Sequence, residues 1–377
     1  MKKVLVVADT FFPNVDGVTR FIKDVIPGLS KSFDITILAP GYKKIKSYEG
    51  MPVVTFPIFK GLRIKAGKDY YPPIPLIFRI RKHVKNSDVV FAQSLPFLGI
   101  ASILMAKLYR KPTVMYFHHI GWDQLHHLTK GPELFRRALR AFALFLMRFF
   151  SNRCDLILIP SEQVKHTLNT YGFKSNKAIV QLGINTKEFK PIENKDLAKK
   201  RIGIDSNSFV IGYCGRISKE KDLTTLVQAF KELNKKYDNL YLLLVGAGDD
   251  IQQELKGMKN ARITGFMENV VPYYQAMDVC VLPSLTETTG LALPEAMSCG
   301  IPVITTPVGF ALTSISNGYN GLIFSQKDVP GLVEQLDKVY NDKALRASLT
   351  KNGRKTVEDV FTWEKTIAEI KDILNKM

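Results

Sequence analysis

Unbroken apolar runs of four or five residues recur along this chain, separated by stretches whose apolar positions fall three and four apart. Val4–Ala8, Ile35–Ala39, Val53–Phe56, Val89–Ala92, Thr113–Phe117 and Leu156–Pro160 are such runs in the first half. Runs without polar alternation suit strands buried on both faces, and the helical spacing from Val18 to Leu29 suits a covering helix. Strands alternating with helices predict a parallel sheet covered on both sides. After a turn-like junction, Gly183–Pro191, and a Lys-rich polar stretch, Glu193–Asn207, the pattern restarts. Val210–Tyr213, Tyr241–Val245, Arg262–Gly265, Val279–Pro283 and Val303–Thr305 are predicted strands, with a helix over Leu223–Leu233. The expectation is an α/β protein of two doubly wound domains, residues 1–187 and 188–359, facing across a cleft. Ligands of such sheets sit outside the carboxyl ends of the strands.

The length of 377 residues agrees with two domains, and 46% apolar with 23% charged residues excludes disorder, collagen-like sequence and coiled coil. Charge adds a new element. The net is +18, and all of it lies in residues 1–190, which carry 30 basic and 12 acidic side chains, whereas residues 191–377 carry 23 of each. A one-sided positive field attracts nucleic acid, an anionic membrane surface or phosphorylated substrates, and it also serves solubility alone. Four scattered cysteines without a CxxC pair read as small buried hydrophobes in a reducing cytoplasm. The first apolar run stops at Asp9 with no cleavage signal, so it reads as a strand and not a signal peptide. Val89–Ala106 approaches spanning length, but Gln93, Ser94 and Pro96 interrupt it, so no membrane span is expected.

The stretch from Pro283 to Val303 holds the most chemistry. It reads as a strand end, a loop with Glu287 and Gly290, and a short helix carrying Pro294 and Glu295 in its first turn. First-turn N–H groups suit a phosphate, and Gly290 would let one approach the main chain. Two carboxylates so placed can bind hydroxyls of two sugars on one ligand. Upstream, Arg216 and Lys221 lie in the loop after Val210–Tyr213. Fixed cations there would stabilise charge gathering on a diphosphate leaving group and could take the place of Mg²⁺, since the chain offers no Asp-x-Asp pair for a metal. Gly246-Ala-Gly248 after Tyr241–Val245 is half a dinucleotide fingerprint, with Ile251 where the third glycine would stand.

Glu287 and Glu295 with seven residues between them, Gly215-Arg216 followed by Lys221, and Leu182-Gly183-Ile184-Asn185 leading to Phe189-x-Pro191 together resemble glycosyltransferase family four. The opening Asp9-Thr10-Phe11-Phe12-Pro13-Asn14-Val15-Asp16-Gly17-Val18 is similar to that of members which glycosylate lipids, such as diacylglycerol glucosyltransferases and phosphatidylinositol mannosyltransferases. The resemblance implies a GT-B fold, with a last helix near Trp363–Lys376 within a returning segment 360–377. It implies a retaining, metal-independent hexosyl transfer from a UDP- or GDP-sugar, with a front-face return of the leaving phosphate. It gives Glu295 the ribose and Glu287 the donor sugar. It gives the diphosphate to Arg216, Lys221, the main chain of Thr289, Gly290 and Leu291, and Gly17 from the first domain, with Gly246 lining the nucleotide pocket. Thr289 stands where many relatives have an aromatic residue.

The resemblance also points to His118, at the end of Thr113–Phe117, as a contact of the donor sugar, with His119 the alternative register. His126 and His127 lack any Cys or acidic cluster for a zinc site. Arg136, Arg137, Arg140 and Arg148 among Phe, Leu and Ala over Glu133–Phe150 form either an interfacial helix or a core helix with one solvated face. Arg63–Lys85 adds seven basic residues around Tyr70, Tyr71 and Phe78. The combined expectation is a cytoplasmic enzyme, peripheral on the inner face of the cell membrane, acting on a lipid acceptor, with no nucleic-acid partner. The alternatives are a soluble sugar-phosphate or polysaccharide acceptor, and a non-catalytic nucleotide-sugar or polyanion binder. Glu287→Ala and Arg216→Ala are expected to abolish transfer while leaving the fold intact.

Overall fold

The computed structural model describes residues 1–377 except 15, 62, 63, 67, 94, 119–131, 249, 250, 288 and 289. It divides into two units, Met1–Gln181 with Trp363–Met377, and Leu182–Thr362. The first division falls a few residues before the expected 187. The reason is local: Ile184 is fully buried and its N–H donates to the Phe361 carbonyl at 3.0 Å, which ties this segment into the second unit.

The first unit is built on β1 (Lys3–Val7), β2 (Asp34–Pro40), β3 (Ser47–Tyr48) and β4 (Met51–Phe56), with a separate hairpin of β5 (Ile64–Ala66) and β6 (Lys68–Tyr70). β7 (Val89–Ala92), β8 (Thr113–Tyr116), β9 (Leu156–Ile159) and β10 (Asn176–Ile179) complete the sheet in the order β10-β9-β8-β7-β1-β2-β4-β3. Only the short β3–β4 pair in it is antiparallel. Central strands β1 and β7 are apolar and almost wholly buried, with Val4 registered against both Ile35 and Val89. The helix Gly17–Ser30 starts where Asp16 accepts from the Thr19 N–H at 2.8 Å, and it buries Val18, Phe21, Ile22, Val25, Ile26 and Leu29 at helical spacing. The final helix, Trp363–Lys376, belongs to this unit and packs on Gly17–Ser30. A Cβ at Gly28 would lie 2.4 Å from Ile367 Cδ1, so glycine there permits the close crossing. Thr366 donates its hydroxyl to the Gln181 carbonyl at 2.8 Å, fixing the returning segment.

The second unit has six parallel strands, β11 (Phe209–Cys214), β12 (Leu240–Val245), β13 (Ala261–Ile263), β14 (Val279–Leu282), β15 (Val303–Thr305) and β16 (Leu322–Ile323). Their order is β13-β12-β11-β14-β15-β16. Each sheet therefore reverses its direction of growth once, between β1 and β7 in the first unit and between β11 and β14 in the second. Loops leaving neighbouring strands diverge at such a point and open a crevice for ligands. The strands absent from the sequence reading, β3, β10, β16 and the β5–β6 hairpin, are short or lie at sheet edges. An edge strand has one neighbour and lacks the unbroken apolar signature of a central one.

All four cysteines are buried thiols. Burial pushes the Cys154 thiol up to about 12, against a smaller opposing effect of the Lys107 charge. Ellman's reagent at neutral pH is expected to leave all four unmodified over minutes in the native protein and to titrate four after denaturation; rapid native reaction at any of them would contradict this packing.

Candidate active site

The switch point of the second unit gathers the residues singled out after β11 and β14. A single 3₁₀ turn, Lys219–Lys221, follows the β11 loop, and Asp222 at φ +46° turns the chain into helix Leu223–Leu233. That turn delivers Lys221 to the loop after β14, where Lys221 Nζ lies 2.5 Å from Glu287 Oε1. Ser284 donates its hydroxyl to the same oxygen at 2.9 Å. The two loops are also clipped by main chain, since the Leu285 N–H donates to the Glu220 carbonyl at 2.8 Å. Lys221 and Glu287 side chains are only 14% and 11% exposed, so their charges are largely withdrawn from water. Gly309 packs behind Glu287; a Cβ there would come within 2.6 Å of Glu287 Cβ.

Arg216 is differently placed. Its side chain is 61% exposed and reaches Glu220 Oε1 at 2.6 Å, while its carbonyl accepts from the Tyr213 hydroxyl at 2.7 Å. Partial burial would raise the Glu220 carboxyl, but hydrogen bonds from its own backbone and Ser218, and the Arg216 and Lys221 charges, outweigh it and hold it below its ordinary value. Glu295, in the short helix Ala292–Ser298, is 5% exposed, and its Oε2 accepts from the buried Tyr274 hydroxyl at 2.8 Å. Burial, with smaller effects of nearby Cys and Glu295 charges, pushes that phenol well up, so it stays a donor. Gly290, at φ +67°, needs glycine for its backbone and not for space. Leu291 immediately precedes the short helix. Thr289 lies outside the described residues.

Gly246 proves to have a packing role. Its φ is +152°, and a Cβ on it would sit 1.8 Å from the Gly215 carbonyl oxygen; Gly248 meets the Ile217 oxygen at 1.9 Å in the same way. The Ile217 N–H donates to the Ala247 carbonyl at 2.9 Å. The paired glycines therefore let the loop after β12 run flush against the Arg216 loop, which explains the half fingerprint by contact within the chain.

In the first unit, Gly17 opens the Asp16-capped helix in the loop after β1, and a Cβ on it would meet no described atom within 4 Å. The fold does not itself require glycine there. His118 follows β8, its ring against Tyr116 and Phe21, and its Nε2 stands 3.1 Å from Gln93 Oε1. Gln93 follows β7 at the switch point, and its buried Nε2 has no partner among the described residues. Asp9, at the end of β1, accepts from the N–H of Leu98 at 2.8 Å and so caps helix Leu98–Leu108. His119, His126 and His127 lie outside the described residues.

Residues 15–188 match the family model "Glycosyltransferase Family 4", and residues 194–356 match "Glycosyl transferases group 1". The chain belongs to glycosyltransferase family four. It is an enzyme, a hexosyltransferase of a family that uses nucleotide sugars. It is 26% identical to the capsular polysaccharide biosynthesis glycosyltransferase CapM of Staphylococcus aureus, over 98% of this chain and 96% of that one. It is 25% identical to an alpha-monoglucosyldiacylglycerol synthase of Acholeplasma laidlawii, over 93% and 91%. A solved structure of Anabaena HepE in complex with UDP-glucose superposes with a TM-score of 0.79 at 17% identity, covering all of both chains. The fold is GT-B.

Within this glycosyltransferase, helix Glu133–Ser151 keeps Arg136, Arg137, Arg140 and Arg148 within about a third of its circumference, as expected, and adds partners for three of them: Arg136 and Arg137 pair with Glu133, and Arg140 donates to the Tyr171 hydroxyl at 3.1 Å. The opposite side is apolar and is also exposed, with Phe135, Phe142, Phe145 and Phe149 at heptad-like spacing. Among the described residues no helix is long and apolar enough to cross a membrane, and no group of three or more His, Cys, Asp and Glu could hold a metal ion. Replacing Gly246 with Ala is expected to destabilise the second unit by more than about 3 kcal/mol in urea unfolding, since neither carbonyl nor loop can yield. A loss under about 1 kcal/mol would show the two loops to be loosely packed.

Proposed function

We propose that the enzyme transfers a hexose with retention from a UDP- or GDP-sugar to a membrane lipid, without a metal ion. The second unit holds the donor. The observation that carries this is the largely buried Lys221–Glu287 pair at the β11–β14 switch point, with Arg216 exposed on the same loop. A diphosphate entering there is attracted by Arg216 and Lys221, which stabilise the charge it gathers as the bond to the sugar breaks. The Lys221 ammonium has three donors, so it can serve the phosphate while easing its hold on Glu287, whose oxygens then accept from sugar hydroxyls. Glu295, held by Tyr274, is positioned for the ribose. His118, oriented through Gln93, is assigned to the donor sugar.

A lipid acceptor is supported by the outward face of Glu133–Ser151. Four exposed phenylalanines, with Arg137, Arg148 and Arg153 on the same helix or just after it, suit shallow insertion into an anionic bilayer surface and so support a first unit that works at the membrane. The Acholeplasma relative's name, an alpha-monoglucosyldiacylglycerol synthase, points the same way. A polysaccharide-pathway acceptor, favoured by the name of CapM, is the second reading.

Alanine at 287 would strand Lys221 largely buried at a cost of about 3 to 5 kcal/mol, so the isosteric change is the better probe than the expected Glu287→Ala. Glu287→Gln keeps the shape and an oxygen for Lys221 but not the charge. It and Arg216→Ala are each expected to cut transfer at least about a hundredfold, measured as nucleotide release from a panel of UDP- and GDP-sugars. The loss of Tm is expected to be smaller for Gln than for Ala at 287, with little change for Arg216→Ala. Wild-type rates from a correctly folded Glu287→Gln protein would sink the assignment. EDTA is expected to leave the rate unchanged. Phe142→Ser with Phe145→Ser is expected to abolish co-sedimentation with phosphatidylglycerol vesicles at high salt; a wild-type protein that ignores such vesicles even at low salt would remove the lipid acceptor and leave the transfer chemistry untouched.

A further inference from the structure

A hollow of about 670 Å³ in the first unit lies apart from every residue placed in the transfer site. Lys44 and Lys46, in the loop after β2, form one wall; Arg79, Lys82 and His83, on helix Ile77–Lys85, form the other; Val53–Thr55 of β4 lies between them. In the sheet order β4 stands two strands from β1 and the Gly17 loop, a separation of about 10 Å.

Its chemistry is one-sided. No carboxylate lines it, and none of Lys44, Lys46, Arg79 and Lys82 has an ion pair among the described residues. Elsewhere in this basic unit, Lys107, Arg136, Arg137 and Lys165 all pair with acids. Lys44, Lys46, Arg79 and Lys82 are exposed and converge on one concavity without a counter-charge, so a bound anion relieves the part of their mutual repulsion that water and salt leave unscreened. His83 registers the field: burial, and then the Lys82 and Arg79 charges, hold its imidazole below its ordinary value, so it enters the hollow as a neutral hydrogen-bonding group. Arg79 lies with its guanidinium carbon 5.1 Å from the centre of the Phe56 ring, a stacking that pre-orders its fork of donors. Thr55 adds a hydroxyl on the floor.

We propose that this hollow is a second anion site of the enzyme, specific for a phosphate ester and separate from the donor diphosphate. Tetrahedral oxygens bridged by the Arg79 fork and point charges from Lys44, Lys46 and Lys82 match a phosphoryl group in charge and geometry. The ester can belong to a lipid headgroup or to a soluble metabolite. Phe78, 85% exposed and one turn before Lys82 on the same helix, would lie at the acyl boundary in the first case and in water in the second. The site does not depend on which acceptor the enzyme uses.

The test uses the full chain at constant ionic strength. Inorganic phosphate and glycerol 3-phosphate are titrated while the His83 imidazole resonance, assigned with His83→Gln, is followed by NMR. Saturable binding with a raised His83 titration midpoint is expected. Lys46→Gln with Arg79→Gln should weaken it at least about tenfold, whereas Lys111→Gln with Lys174→Gln, the same charge change elsewhere on this unit, should not. Partition onto phosphatidylcholine vesicles with and without phosphatidylglycerol then separates the sources. Loss of the anionic-lipid increment in the Lys46/Arg79 variant assigns a headgroup, and an unchanged increment assigns a soluble phosphate ester. No saturable response to either phosphate probe, or equal weakening by both charge-matched variants, overturns the site.

Discussion

A parallel sheet forces every strand to end at the same edge, and this constraint organises the whole molecule. Crossovers cannot return on that edge without passing behind a face, so the loops that leave β1, β7, β8, β11, β12 and β14 are the ones free to vary. Where growth of the sheet reverses, two of those loops part, and the side chains they carry are left facing one another. Lys221 and Glu287 are 66 positions apart in the chain and meet because β11 and β14 are neighbours with opposite growth. Gln93 and His118 meet without such a reversal, after the adjacent strands β7 and β8, which grow in one direction.

The central strands were readable because burial on both faces leaves an unbroken apolar run, and β7 and β15 fall on the residues that the pattern predicts. Helix Leu223–Leu233 does likewise. Of the edge strands only β13 was marked, while β3, β16 and β10, with its Asn176 and Lys177, carried no such run. The charged residues of the site were legible one by one, since a carboxylate or guanidinium in a strand-end loop stands out. Their partnerships were not. Ser284 holding Glu287, Tyr274 holding Glu295 and Gln93 holding His118 use residue types common in any loop or core, and only the packed chain selects them. Gly309 had the same anonymity, whereas Gly246 was noticed for a phosphate-binding pattern and turned out to be demanded by a neighbouring carbonyl.

Charge shows the same division between what a count reveals and what a fold decides. The surplus of basic residues in the first half was plain, yet its distribution over the surface was not. On helix Glu133–Ser151 three of the arginines are tied to Glu133 and Tyr171, and the side opposite them exposes phenylalanine rings, so the helix presents hydrophobic area beside its basic stripe. Four cations that have no ion pair among the described residues, Lys44, Lys46, Arg79 and Lys82, meet around a different hollow. Hydrophobic contact and anion capture are thus carried by different elements of one unit, and they respond differently to salt.

The return of Trp363–Lys376 to the first unit has a consequence for how the protein is made. The second unit is an insertion whose two ends adjoin, with Ile184 bridged to Thr362, so it can close as an independent cassette while the ribosome is still at work. The first unit cannot: helix Gly17–Ser30 can settle on its sheet, but its surface around Gly28 waits uncovered until Trp363–Lys376 emerges. A truncated or stalled product would therefore carry one finished half and one sticky one, and quality control would have a hydrophobic flag for incomplete synthesis.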